Sequence, residues 1–297
     1  MTQRGPQMDV TNSVDVTSPP AVSAAIREIL EARYSGQGFT IIDTLVNDLE
    51  RLYKGDFPGF HACDVHYHKL QHVLDVSLAM ARLIDGYEHS AAPQRQLGPD
   101  YALAGMCAAL FHDAGYIRRR SDTRHRNGAA YTRIHVRRSA RWLREYLPGV
   151  GLGELADEAA NMVHFTNCSR PPANVPAGDV RERRTGELLG TADLIAQLAD
   201  VRYVEKCQTS LYDEFVEGGV AGANAEGYRG KIYRNADDLL TSTPGFMRWA
   251  IRERLEAGFH HAYRYAAVHF GGANLYMDAI DLNYAHLEAQ LNGQAVT

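Results

Sequence analysis

From Ala21 to the end of the chain, apolar side chains recur every three to four residues. No stretch alternates them in the two-residue rhythm of a strand bounded by turn residues. A chain patterned this way buries apolar surface by packing helices against helices, so the expected class is all-α, a single helical bundle. Helices are expected over 21–33, 41–54, 69–85, 100–114, 131–147, 153–166, 185–215, 245–269 and 274–291. Residues 1–20 are rich in Thr, Ser, Pro, Gln and Asp, with too little apolar surface to offset the entropy of ordering them, and are expected to form a loose tail. The remainder, 21–297, is expected to be one helical domain. Its C-terminal helices, 211–297, would extend the core.

Two expected helices are apolar nearly all round, Tyr101 to Phe111 and Leu188 to Leu198, and such helices belong at the centre of a bundle. Val136, Ala140, Leu143 and Leu147 form a single stripe, as do Met277, Ile280, Tyr284, Leu287 and Leu291; those two helices should pack on the outside. Residues 217–230 carry several glycines and break the helical pattern, so a loop is expected there.

Composition excludes some functions. Thirty-six acidic against 31 basic residues leave a net charge of −5, so no chain-wide positive field exists to hold nucleic acid or anionic lipid. The longest uncharged apolar run, Tyr101 to Phe111, is about half of the ~20 residues that a membrane-spanning helix needs. Four cysteines, with no C-x-x-C pair and no leading apolar segment, point to a reducing cytoplasm without disulfides.

The histidines and two aspartates carry the chemistry. In Tyr67-His68-Lys69-Leu70-Gln71-His72-Val73-Leu74-Asp75, the spacing puts His68 and His72 on one face of a helix, with Asp75 a turn further on. His112 and Asp113 close the apolar helix of 100–114. A carboxylate there costs several kcal/mol unless a cation compensates it. Asp193 sits amid Leu189, Ala192, Leu194 and Ile195, and the nearest basic residues, Arg184 and Arg202, are too distant in sequence to pair with it along a helix. His135 opens an amphipathic helix, and His164 lies beside the apolar face of another. Imidazoles and carboxylates together suit a divalent transition metal.

In this order, a single His, a His-Asp doublet and a late buried Asp, the chain resembles the HD superfamily of all-helical, metal-dependent phosphohydrolases. YHKLQHVLDV and FHDAGY are the best matches, and the resemblance covers about residues 40–210. It implies that His72, His112, Asp113 and Asp193 bind one metal. His135 and His164 match the two further histidines of members that hold a second metal, with Asp113 bridging. The implied cofactors are two divalent ions, drawn from Fe, Mn, Zn, Ni or Mg. The first stretch is also similar to the H-N-x-x-H-x-x-D-V motif of class I cyclic nucleotide phosphodiesterases, in which the first His protonates the leaving oxygen. That role falls here on His68, with Asp113 at the reacting centre. Lys69 stands where those enzymes carry Asn, and no complete nucleotide clamp is found, so the similarity does not name the ester.

The expected activity is hydrolysis of a small, nucleotide-like phosphate ester, by a phosphodiesterase or nucleotidase. Between Arg118 and Arg144 lie ten arginines and one acid, Asp122, which favours an anionic substrate. Most of these arginines are expected on solvated faces or paired with acids, with Arg118, Arg119 and Arg124 the candidates to meet substrate. Asp75 is a candidate to orient a ligand histidine. The expected partners are thus a phosphate ester, with neither nucleic acid nor membrane, and a homodimer as one assembly. Two other readings keep the same ligands: a di-iron oxygenase resembling myo-inositol oxygenase, and a nucleotide sensor without turnover.

Overall fold

The computed structural model describes residues 4–225, 228 and 230–294, and the chain is all-α. Among the described residues there is no strand, only isolated bridges between Met8 and Asp15 and between Phe60 and Arg119. No helix among them is long and apolar enough to cross a membrane.

The first helices are α1 (Pro19–Arg33), α2 (Ile41–Lys54), α3 (Leu70–Ser90), α4 (Pro99–Phe111), α5 (His135–Tyr146), α6 (Ala156–Met162) and α7 (Val180–Ala199). They are followed by α8 (Tyr203–Lys206), α9 (Tyr212–Glu217), α10 (Ala236–Trp249), α11 (Arg264–His269) and α12 (Leu275–Gln294). Local chemistry sets several starts. Ser18 caps α1 ahead of Pro19. The Asp179 carboxylate accepts from the amides of Arg181 and Glu182 at 2.8 Å each, and Asn235 caps α10.

Helix α3 is the hub, packing against α1, α4, α7 and α11. Its Val73, Leu74, Leu78, Met80, Leu83 and Ile84 are wholly buried, each contributing about 1.5–3 kcal/mol by leaving water. Every residue of α4 from Ala104 to Phe111 is buried, and α7 is buried over most of its apolar stretch from Leu188 to Leu198, as that apolarity requires. The two single-stripe helices, α5 and α12, bury Val136, Ala140 and Leu143, and Ile280 and Leu287, respectively, with Leu147 buried just past the end of α5. One apolar cluster runs from Val16 to Leu287.

The structure corrects the sequence reading in four places. Residues 4–18 of the expected tail are anchored: the Asp9 carboxylate accepts from the amides of Ser13 (3.0 Å) and Val14 (2.9 Å) and pairs with the buried Arg82 of α3. Arg82 also donates to Tyr276 Oη of α12 at 2.9 Å. Residues 1–3 lie outside the described residues. The helix expected over 185–215 breaks after Ala199, where Asp200 turns extended (ψ 125°), accepts from the Arg202 amide and pairs with Lys206. Beyond α8 a π-helical turn (Cys207–Leu211) leads into α9.

The helix expected over 245–269 begins earlier, at the Asn235 cap. It widens into a π-helix (Ala250–Gly258) and breaks at Phe259, with His260 and His261 left-handed at φ 53° and 58°. The break lets Phe259 bury its ring against Gly190 of α7, where a Cβ would come within 2.4 Å of the ring. Among the remaining ends, α1, α3 and α12 run beyond the expected bounds, whereas α4, α5 and α6 are shorter. His112 and Asp113 follow α4 rather than close it, and His164 falls in a 3-10 turn (Val163–Thr166) after α6. Within the glycine-rich segment, Gly222–Asn224 form a 3-10 turn, and residues 226, 227 and 229 lie outside the described residues.

Candidate metal centre

His72 occupies the first turn of α3, and its Nε2 lies 3.4 Å from Asp193 Oδ1 and 3.6 Å from Asp113 Oδ2. Asp193 faces it from the middle of α7, and His112 and Asp113 reach it from the end of α4. His112 Nε2 stands 3.3 Å from Asp113 Oδ2 and 3.7 Å from Asp193 Oδ1. After Asp113 the chain enters a 3-10 turn (Ala114–Tyr116) that presses on the start of α5. There His135 brings its Nε2 to 3.8 Å from Asp113 Oδ1.

Two of these imidazoles have their tautomer fixed by the backbone. His112 Nδ1 lies 2.8 Å from the Ala109 carbonyl oxygen, and His135 Nδ1 lies 2.7 Å from that of Thr132. A carbonyl only accepts, so Nδ1 carries a hydrogen in both rings, which leaves Nε2 as the atom able to meet a cation. This is how metal-binding histidines are usually held. His112 Nε2 and Asp113 Oδ2 are buried without any hydrogen-bond partner. Donors about 2.1 Å from a tetrahedral cation stand about 3.4 Å apart. His72, His112 and Asp113 form a metal-sized cluster, and Asp193 Oδ1 lies at a comparable spacing from the two histidines.

The electrostatics are those of a site built around positive charge. Burial alone would raise Asp113, but the imidazoles of His112, His68 and His72 outweigh it and hold the carboxyl well below its usual range. Burial disfavours the His112 cation, yet Asp113 and Asp193 pull the imidazole up to about 9. His135 goes the other way: burial lowers it despite Asp113, which keeps its ring neutral.

Beside the cluster sits His68, in the loop before α3. Its Nδ1 is hydrogen-bonded to Glu214 of α9, whose carboxylate also accepts from the amides of Tyr67 (2.7 Å) and His68 (3.3 Å). Burial works against a charged His68, and the fully buried Glu214 overrides it, lifting the imidazole to about 9. Tyr116 stacks on both His68 (centroids 4.6 Å, planes 17° apart) and His135 (4.4 Å, 16°). His68 and His135 are only 6.1 Å apart. Rings on opposite faces would be separated by about 7 Å, twice the usual stacking height of roughly 3.5 Å. The two imidazoles therefore share one face of Tyr116.

The structure thus brings together His68, His72, His112, Asp113, His135 and Asp193. His164 is not drawn in: it is half-exposed, no hydrogen bond, ion pair or ring contact joins it to the cluster, and the charges acting on it are those of Arg170 and Arg144. Asp75 does not hold His72; its Oδ1 is buried without a partner, and burial followed by Asp200 raises it to about 7. Arg118 pairs with Asp64, Arg119 with Glu145 and Arg144 with Asp157, so much of the basic segment is neutralised away from the cluster. Sequence reasoning missed Glu214 and Tyr116. Tyr116 had a signal in its place three residues past the doublet, whereas Glu214 sits among Asp213 and Glu217 and reads as a solvated face. The described cysteines are all free thiols. No family model matches the chain, and no curated protein matches its sequence.

Proposed function

We propose that the chain is a metal-dependent phosphoric ester hydrolase of the HD type, acting on a small nucleotide-like phosphate ester. The observation that carries this reading is the convergence of the Nε2 atoms of His72, His112 and His135 on Asp113 and Asp193, two of them with tautomers fixed by carbonyls. His72, His112, Asp113 and Asp193 would hold one divalent ion. Asp113 and His135 would hold a second, with His164 joining only if its turn closes on the site. Bound divalent ions supply Lewis acidity toward phosphoryl oxygens and an acidified water for in-line attack.

The chain's own residues supply the rest. His68, kept protonated by Glu214, is the general acid that delivers a proton to the leaving oxygen from the ring nitrogen not bound to Glu214. Tyr116 keeps the ring in place through stacking. Glu214 keeps the proton on His68 between turnovers, and Asp113 balances positive charge at the reacting centre.

The test is turnover of bis-p-nitrophenyl phosphate and a panel of nucleotides with Mn, Mg, Zn, Ni or Fe, alongside a metal inventory of the purified chain. Activity that disappears in His112→Ala and Asp113→Ala supports the proposal. Stoichiometric iron with an oxo-bridged optical band, and no phosphoesterase turnover with any metal, replaces it with the di-iron oxygenase. Tight nucleotide binding without turnover replaces it with the sensor.

A further inference from the structure

The segment between Asp113 and α5, together with Arg138 of α5, lines an open pocket of about 390 Å³, which shares no lining residue with the metal cluster. Its walls are Arg119, Ser121, Asp122, Thr123, Arg124, Tyr131 and Arg138, so three guanidiniums and three side-chain hydroxyls line it with a single carboxylate. That carboxylate is already committed. Asp122 accepts from Tyr131 Oη, from His125 Nδ1 at 2.9 Å and from the Arg124 amide at 3.0 Å, which fixes the loop, and its ion pair is with His125 and not with any of the three arginines.

The guanidiniums differ in how far they are satisfied. Arg119 is paired with Glu145. Arg138 has no carboxylate partner; it lies over the Tyr131 ring, 3.5 Å from the centroid, and donates to the carbonyls of Gly115 (2.7 Å) and Ile117 (3.1 Å). Burial makes its charge harder to keep, and the like charges of Arg119 and Arg141 add to this, against the opposing pull of Tyr131 and Asp122. The Arg124 side chain makes no hydrogen bond or ion pair with any described residue. Like charges crowded around a cavity with donors to spare are an arrangement that a multiply charged oxyanion relieves, and guanidinium forks match phosphate oxygens in geometry. The volume lies within the range of small-molecule sites and exceeds what a bare phosphate needs.

We propose that this pocket binds the phosphoryl group of a small phosphorylated metabolite, at a site separate from the metal cluster. Arg124 and the hydroxyls of Ser121 and Thr123 take the phosphoryl oxygens, and Arg138 supplies positive charge from behind. Arg138 also ties the pocket to the cluster, because the two carbonyls it grips flank Tyr116, the ring that carries His68 and His135.

The experiment is calorimetric titration of the full chain, stripped of metal by a chelator, with inorganic pyrophosphate at low ionic strength. One saturable site is expected. Arg124→Glu should weaken it at least about tenfold, the effect of losing one charge-assisted hydrogen bond and adding repulsion. Ser121→Ala, a smaller change on the same wall, should weaken it less, and His112→Ala should leave it intact. Absence of saturable binding, affinity unchanged in Arg124→Glu, or affinity lost in His112→Ala would each overturn the proposal, the last by placing the anion on the cluster. No turnover is read, so the outcome is independent of the hydrolase proposal.

Discussion

His68 and Glu214 stand 146 residues apart in the chain, yet the Nδ1 of one is hydrogen-bonded to the carboxylate of the other inside the protein. The pair joins the loop before the central helix to a short helix far downstream. It also favours the charged form of His68: burial opposes its proton, and Glu214 outweighs burial. Glu214 is in turn held below its usual range, since burial would raise it but His68 and two amides outweigh that.

Replacing Glu214 by Gln should therefore shift the basic limb of kcat/KM to lower pH. The raised His68 stabilises the fold fully below the ordinary histidine value of about 6.5, and that contribution is lost as the pH rises through about 9. The charged acid disappears over the same window, so wild-type activity should fall on its alkaline side. Glu214→Gln keeps the shape and removes the charge, and should move that fall toward neutrality while the acidic limb stays put. A profile superimposable on the wild type would refute the role given to Glu214.

Metal should stabilise the chain through the four clustered donors. At a free ion concentration of 100 times Kd, binding to the folded state alone adds about 2.7 kcal/mol. In a chain of this length that raises Tm by a few degrees. His112→Ala should abolish the rise, and Asp193→Asn, which keeps the volume but drops the charge, should reduce it. Differential scanning fluorimetry with added Mn or Zn, compared with chelator, measures both. Equal shifts in wild type and His112→Ala would show that the ion binds elsewhere.

How much of this was legible in the sequence depends on what each residue interacts with. Asp193 and the His112-Asp113 doublet stood out because each puts a charge in a segment that is otherwise apolar, a conflict that local sequence displays. His164 looked equivalent from its spacing, but it lies on a 3-10 turn whose direction no periodicity encodes. Glu214 was hidden, since its partner is remote and its neighbours are acidic. The breaks at Asp200 and at His260-His261 were equally unreadable: one rests on a side-chain cap, the other on the seat that α7 offers Phe259.

The N-terminal segment shows the complementary failure. Composition measures apolar area, and residues 4–18 contribute little of it; what holds them is the buried ion pair Asp9–Arg82 with its surrounding amides. Asp9→Ala should cost about 3–5 kcal/mol by leaving Arg82 buried without its counter-charge. Asp9→Ala combined with Arg82→Met should recover part of the loss. Burial would raise Asp9, but Arg82 and the hydrogen bonds outweigh it, so its folded value is lowered. Its stabilisation is present above the usual aspartate value of about 3.9 and fades as the pH falls through the lower folded one. Urea titrations of the full chain at neutral and acid pH measure the effect; a cost under about 1 kcal/mol, the usual worth of an exposed pair, would contradict the buried pair.

Gly115 tests the join between the doublet and the second half of the cluster. A Cβ built there would stand 2.0 Å from the His135 carbonyl oxygen and 2.8 Å from both its carbonyl carbon and Ser139 Oγ, and two of those three obstacles are backbone. The Gly115 amide also donates to Ser139 Oγ at 2.8 Å, so the turn cannot back away without breaking that bond. Gly115→Ala should therefore push the first turn of α5 outward, carrying His135 away from Asp113 and from the face of Tyr116. Overpacking of this kind costs about 1–3 kcal/mol. The second cation of the proposed pair should be lost before the first, because His72, His112 and Asp193 do not depend on α5. Gly149→Ala, where nothing lies within 4 Å, is the control and should change stability by less than about 0.5 kcal/mol. Metal stoichiometry and Tm of the two variants decide the matter: if Gly115→Ala matches the control in both, the turn is not wedged against α5 as described.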